Sequence, residues 1–442
     1  MPTSKFSPFQ LGVMAFFLVC LLGGVAVFTV FGGRSSNEDV GTVVIWGTMK
    51  QSSFDTILVE MTGGDTSFQN VSYVEKNQKT YLANLVEAIA SGKSPDLMML
   101  PDNQVVSFAG KIVPIPYSTV SQRNFNDTFL DEGAIFLSGN GVIGMPVLID
   151  PLVMYYNRDL FATAGVATYP KTWTELQAIA PKMTSLDAAS NVKRSAVAMG
   201  SYDNVNHAKE ILSALFMQVG EQIVSFDENG KLASSFGNAK GDGAVETPAQ
   251  SALRFYANFS NPSQSIYSWN RALPNSLDAF VAGDLGIYFG RASENSVISS
   301  RNQNLSFAVA PLPQTAGAKV RMTYGSMTAL SIPRGSRNVA GAMVIARKLS
   351  EPKAAGLFAS VSGLPPVRRD LLADVPDDSA LSVFAGAALI SRTWPDPNPQ
   401  ATDAIFKRMI ESTVSGREML EGAIRTAAAE LTSLFDQINN AQ

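Results

Sequence analysis

Thr42-Val-Val-Ile-Trp46, Val71-Ser-Tyr-Val74 and Asp96-Leu-Met-Met-Leu100 are the stretches whose reading decides the fold. All three are read as runs of the kind found in strands buried on both faces. Between the second and the third, Leu82, Leu85, Val86 and Ile89 recur at helical spacing, and Gly92 with Pro95 supplies the stop. Strand, helix and strand joined by short connections indicate a βαβ unit, so the sequence predicts an α/β protein built on parallel strands.

The same alternation runs outward to the C-terminus. Thr172 and Glu175 form a capping-box pattern ahead of a helix carrying Leu176 and Ile179. Asn275 to Ala282 reads as a short helix that Gly283-Asp284 turns into the strand Leu285 to Phe289, and Ala329 to Ile332 is a further strand before a helix from about Val339 to Leu349. From Arg417 to Ile438, the residues Leu420, Ile424, Ala427, Leu431, Leu434 and Ile438 lie on one stripe, which predicts a packed terminal helix.

Toward the N-terminus, Leu11 to Phe31 carries no charged side chain, and about 20 apolar residues suffice to span the hydrocarbon core as a helix. Three readings compete. A cleaved signal has a shorter apolar core and a small-residue cleavage site, which Gly32-Gly33-Arg34-Ser35-Ser36 does not offer. Lipidation needs a Cys at the end of the run, whereas Cys20 sits in its middle. The reading carried forward is an uncleaved transmembrane helix at 11–33, after a cytoplasmic segment 1–10 and before a linker 34–41. Lys5 ahead of the run favours a cytoplasmic N-terminus, giving a single-pass plasma-membrane protein whose C-terminal part is extracytoplasmic.

Composition narrows the function classes. The roughly 400 residues beyond the run exceed what one core usually serves, so two lobes are expected. Net charge is −4 and the basic residues are scattered, which speaks against nucleic acid as a partner. A single cysteine and a single histidine, Cys20 and His207, leave no disulfide, no thiolate metal site and no His-paired nucleophile. Spacing in sequence does not exclude a hydrolytic carboxylate pair, for which Asp102 and Asp150 are the best candidates. The reading is therefore of a non-enzyme, with no catalytic residue, metal or cofactor assigned.

Ligands of open α/β sheets sit outside the carboxyl ends of the strands. Trp46 ends the first strand and leads to Thr48; Asp102 and Asn103 follow Leu100; Tyr288 and Arg291 flank Gly290; Tyr324 and Ser326 precede a further strand; Trp394 stands in a Pro-rich loop. Aromatic faces can stack on a sugar ring while carboxylates and amides take its hydroxyls.

Gly144-Met-Pro-Val-Leu-Ile-Asp150-Pro-Leu-Val-Met-Tyr-Tyr156-Asn157-Arg-Asp-Leu-Phe161, with Ala164-Gly165 and Pro170-Lys-Thr-Trp173-Thr-Glu-Leu176, resembles the signature of extracellular solute-binding proteins of family 1, the group of maltose-binding protein and other sugar receptors of ABC importers. Ala90 to Asp96, Phe280 to Ile287, Gly363 to Arg369 and Ser415-Gly416 extend the match along the chain. The resemblance implies a two-lobed periplasmic-binding-protein-like (type II) fold with hinge crossings near Met145 to Leu152, Ala308 to Pro313 and Gly363 to Val367. Lobe 1 would comprise 42–149 with 313–363, and lobe 2 150–308 with 367–442. It also implies capture of a small solute, most readily a sugar or oligosaccharide, by hinge closure, and delivery to ABC permease subunits.

Residue by residue, Asp150 falls where the sugar receptor has a ligand-contacting acid and Trp394 falls near an aromatic platform. Trp173 and Asp96 read as structural. Thr48-Met49-Lys50 replaces an acidic loop and Leu100 replaces an aromatic, which argues against maltodextrin. The ligand-binding set is Trp46, Thr48, Asp102, Asn103, Asp150, Tyr288, Arg291, Tyr324, Ser326 and Trp394. The alternative is a sensory or adhesion ectodomain of the same fold.

Overall fold

A computed structural model describes residues 40–228, 230–238, 246–375 and 379–441. The expected anchor at 11–33 and the cytoplasmic segment lie outside these residues, as does the linker up to 39. Among the described residues no helix is long and apolar enough to cross a membrane. Val40 is already docked: it is buried, and its carbonyl accepts from Asn338 Nδ2 at 2.7 Å.

The β-branched run after the linker forms the strand Val43–Gly47, parallel to Val71–Glu75 on one side and Leu97–Pro101 on the other. The intervening helix Tyr81–Ala90 buries Tyr81, Leu85 and Ala88. It ends at Gly92, whose φ of +68° few other residues adopt without strain. Met327–Pro333 adds antiparallel to Leu97–Pro101 and also pairs with Met145–Ile149. With Ile112–Val113 these make a six-stranded sheet.

A second, five-stranded sheet runs Phe307–Ala310, Leu152–Asn157, Leu285–Arg291, Val192–Val197, Ser185–Leu186. Each sheet carries its own apolar core. Trp173 belongs to the second, where its Nε1–H donates to Gln218 Oε1 at 2.6 Å and so leaves no buried donor unpaired. It opens the helix Trp173–Met183. Thr172 Oγ1 accepts from the Glu175 amide at 3.2 Å, but the Glu175 carboxylate reaches back to the Lys171 amide at 2.6 Å, one residue earlier than a capping box requires.

The chain passes between the sheets in two short steps that touch each other. Only Asp150 and Pro151 separate Met145–Ile149 from Leu152–Asn157. The return lies at Gly325-Ser326, because Tyr324 still belongs to the second core while Met327 belongs to the first. This differs from the crossing expected near Ala308 to Pro313. Gln314 is tied to the second lobe instead, its amide donating to Lys171 O and its carbonyl accepting from the Trp173 amide. Asp150 and Ser326 exchange both backbone hydrogen bonds, at 2.9 and 3.2 Å.

The third connection is longer than the expected Gly363 to Val367. Leu364 packs in the second core and Val367 in the first, where Val367 O accepts from Leu130 N. In the helix Ala380–Leu389, Phe384 faces the second core and Ala388 the first. Residues from Val367 onward are therefore shared between the lobes before the helices Pro399–Val414 and Leu420–Ala441 settle on the second.

Candidate functional site

Between the two sheets, beside the paired crossings, lies a cavity of about 250 Å³. This is just below the roughly 300–1,000 Å³ usual for small-molecule pockets. Asp102 and Asn103, at the carboxyl end of Leu97–Pro101, form one wall, and Tyr324 and Ser326 border it at the crossing between the sheets. The opposite wall is Arg291, at the end of Leu285–Arg291, and a segment running from Tyr202 into the helix Ala208–Gln218. Asp396 and Asp403 also line the cavity.

His207 organises the second wall. It precedes the helix Ala208–Gln218 with φ +60°, a left-handed conformation that few non-glycine residues adopt. Its Nδ1 lies 2.9 Å from Glu210 Oε2, and its Nε2 lies 3.2 Å from each oxygen of Glu294. A ring nitrogen facing a carboxylate on each side satisfies both only as the imidazolium. Burial opposes that charge, but Glu210 and Glu294 prevail and raise the His207 pKa to about 9. Arg291 grips Glu210 through both Nε and Nη2. Burial likewise opposes ionisation of Glu210, yet Arg291 and His207 hold its carboxyl well below the usual range.

Lys209 turns the other way, 2.7 Å from Asp396 and 3.2 Å from Asp403, and it also donates to Thr402 Oγ1 at 2.6 Å. Asp396 is only 2% exposed; burial pushes its carboxyl up, and Lys209 partly offsets this. The cations of the wall are thus bound within it.

On the first wall, Asp102 accepts from the amides of Asn103 at 2.8 Å and Met327 at 3.1 Å. Burial raises its pKa. Behind it, Glu132 is 3% exposed and pushed well above the carboxylate range by burial and by the Asp102 charge.

Of the residues expected at the site, Asp102, Asn103, Arg291, Tyr324 and Ser326 come together in this cavity. The other five stand elsewhere. Trp394 is buried at 4% exposure, stacked on Phe406 at 6.1 Å with its Nε1–H on Ser213 Oγ at 3.2 Å, so its faces are taken up by core packing and not offered as an open stacking platform. Tyr288 is also core, its hydroxyl donating to Glu294 Oε2 at 2.8 Å. Asp150 spends its carboxylate on the amide and hydroxyl of Ser293, at 2.9 and 2.6 Å, which pins the start of the turn after Arg291. It does not join Asp102 in the cavity wall, so the pair weighed for hydrolysis is not assembled there. Trp46 has the Lys76 ammonium over its ring at 3.7 Å, an ordinary cation–π distance. Thr48 is exposed beyond the strand end.

Tyr202, His207, Lys209, Glu210, Asp396 and Asp403 were missed. Tyr202 follows Val192–Val197 and obeys the strand-end rule, but that strand, VKRSAV, has too little apolar alternation to stand out. His207-Ala-Lys209-Glu210 reads as an ordinary charged helix start.

The frame is two-lobed and α/β, with a polar cavity beside its paired crossings. Residues 60–382 match the family described as Bacterial extracellular solute-binding protein, and the chain belongs to that family, whose members work outside the cytoplasm. A Brucella abortus (strain 2308) protein described as a binding protein is 22% identical over 431 residues, covering 94% of this chain and 97% of its own. The maltooligosaccharide ABC transporter solute-binding lipoprotein of Streptococcus pneumoniae (strain R6) is 24% identical over 362 residues, covering 78% and 77%. Among solved structures, the cyclic alpha-maltosyl-1,6-maltose binding protein of Arthrobacter globiformis superposes with a TM-score of 0.73 at 14% identity, covering 90% of this chain and 99% of its own. At that identity the likeness is one of fold alone.

Proposed function

We propose that this protein captures a small saccharide between its lobes, closes on it by bending at the paired crossings, and hands it to an ABC importer. The observation that carries the reading is a polar cavity whose wall draws on both sheets beside the Asp150–Ser326 backbone pair. A solute touching both walls stabilises the shut form by its differential contacts. Maltooligosaccharide and cyclic maltosyl-maltose binding by a relative and by a structural neighbour supports a sugar as the solute. The volume favours one or two rings over a long dextrin.

Tethering through the uncharged run Leu11 to Phe31 is part of the proposal, since a membrane-held receptor meets its permease at raised effective concentration. Membrane fractionation with N-terminal sequencing tests the tether: a native chain beginning after Gly33 refutes it. Isothermal titration against mono- and disaccharides, polyols and amino acids tests the capture. Saturable 1:1 binding to a saccharide is expected, and binding confined to the other classes refutes it.

A further inference from the structure

We propose that the saccharide carries a protonated amine, and that the Asp102–Glu132 carboxyl pair is the seat that selects it. This rests on the saccharide reading above and narrows it to amino sugars.

The second wall has no cation to spare. Arg291 is held by Glu210, His207 by Glu210 and Glu294, and Lys209 by Asp396 and Asp403. On the first wall the balance is different. Asp102 is 2% exposed, borders the cavity and accepts two backbone amides and a hydrogen bond from the Glu132 carboxyl, with no Lys, Arg or His side chain in ion-pair contact among the described residues. Glu132 stands against it. Neither oxygen of Glu132 receives a hydrogen bond from any N–H or O–H group of the described residues, although the side chain is 3% exposed. Its carboxyl lies beneath the Gly325 backbone, where even a methyl side chain at 325 would collide with it, and the residues on either side of Gly325 border the cavity.

Two adjoining buried carboxyls with no cation between them can share only a proton, and burial together with the Asp102 charge keeps that proton on Glu132 in the empty protein. The charged groups facing the pair are Arg291, already gripped by Glu210, and Arg392, whose Nη2 donates to Asp131 Oδ2 at 2.6 Å. Arg369 also pairs with Asp131, so neither arginine turns to Glu132. Apart from that shared proton the Glu132 carboxyl meets no donor, and a carboxyl this deep with so few partners destabilises a fold that does not use it. An ammonium entering beside Asp102 supplies the missing donors and the missing charge, and it lets Glu132 ionise. A sugar hydroxyl donates one hydrogen bond and balances no charge.

The test uses the full chain purified in detergent and a matched calorimetric series of glucosamine, galactosamine and mannosamine, their neutral parents and their N-acetyl derivatives. At least one amine is expected to bind about tenfold or more tightly than both its parent and its N-acetyl derivative, the scale of one charge-assisted hydrogen bond. Glu132→Gln and Asp102→Asn should each shrink that ratio toward one. Glu132→Gln should leave the melting temperature unchanged or higher, because the side chain is already neutral without ligand. A neutral parent binding as tightly as its amine, or a preference that survives both substitutions, overturns the inference while leaving the saccharide reading intact. Binding by neither series, with binding to other solute classes, overturns both.

Discussion

His207 should remain protonated far above the pH at which an ordinary histidine loses its charge, and that charge should be part of what holds the second wall together. Its side chain is 17% exposed and lies between Glu210 and Glu294. A rise in pKa from 6.5 to about 9 corresponds to a stabilisation on the order of 3 kcal/mol. Because the folded value is the higher one, this contribution is complete below pH 6.5 and is lost as pH climbs through about 9. The chain has one histidine, so its imidazole resonances report this site without ambiguity. Titration by NMR from pH 5 to 10 should give a midpoint near 9, and Glu210→Gln should lower it. Urea unfolding at pH 6.5 and 9.5 should show a fall in stability, and the His207→Gln variant should lack the part that belongs to this residue. A midpoint near 6.5 would refute the reasoning, since it would mean that the two carboxylates do not grip the ring.

Other substitutions probe the same framework. Trp394→Ala should cost about 3–5 kcal/mol of unfolding free energy, read as a lower melting temperature, because its ring is packed on Phe406; a loss of ligand binding with unchanged melting would restore it as a stacking platform. Lys209→Met leaves Asp396 buried without its cation and should cost about 3–5 kcal/mol, while Asp396→Asn in the same chain should recover much of that. Gly325→Ala forces the Glu132 carboxyl aside and should cost about 1–3 kcal/mol, with Glu132→Ala relieving the clash; strict additivity of the two changes in denaturant unfolding would show that they do not touch.

Much of the frame is legible in the chain because its signals are local. The β-branched run at Thr42 to Trp46 and the apolar run ending at Leu100 become adjacent parallel strands. Gly283 ends a helix with φ +89°, as the turn residue after Ala282 suggests. The six apolar positions from Leu420 to Ile438 fall on the helix Leu420–Ala441. The site was only half legible, because its chemistry depends on partners far apart in sequence: Glu210 meets Arg291, Lys209 meets Asp396, and Glu132 meets Asp102. A tryptophan beside prolines reads as exposed, yet Trp394 finds Phe406 and the Ser213 hydroxyl, and nothing near it in sequence announces either. The crossing expected near Ala308 to Pro313 falls later, between Tyr324 and Met327, for a similar reason. Gln314 is held to the second lobe by Lys171 and Trp173, well over a hundred positions away.

The central claim is that one solute is gripped by both lobes beside the hinge. A crystal structure of the complex with the tightest-binding saccharide tests it most directly. The expected result is ligand density touching Asp102 or Ser326 on one side and Tyr202 or Arg291 on the other. Density confined to one lobe, or seated in the apolar groove between Ala359 and Phe384, would contradict it.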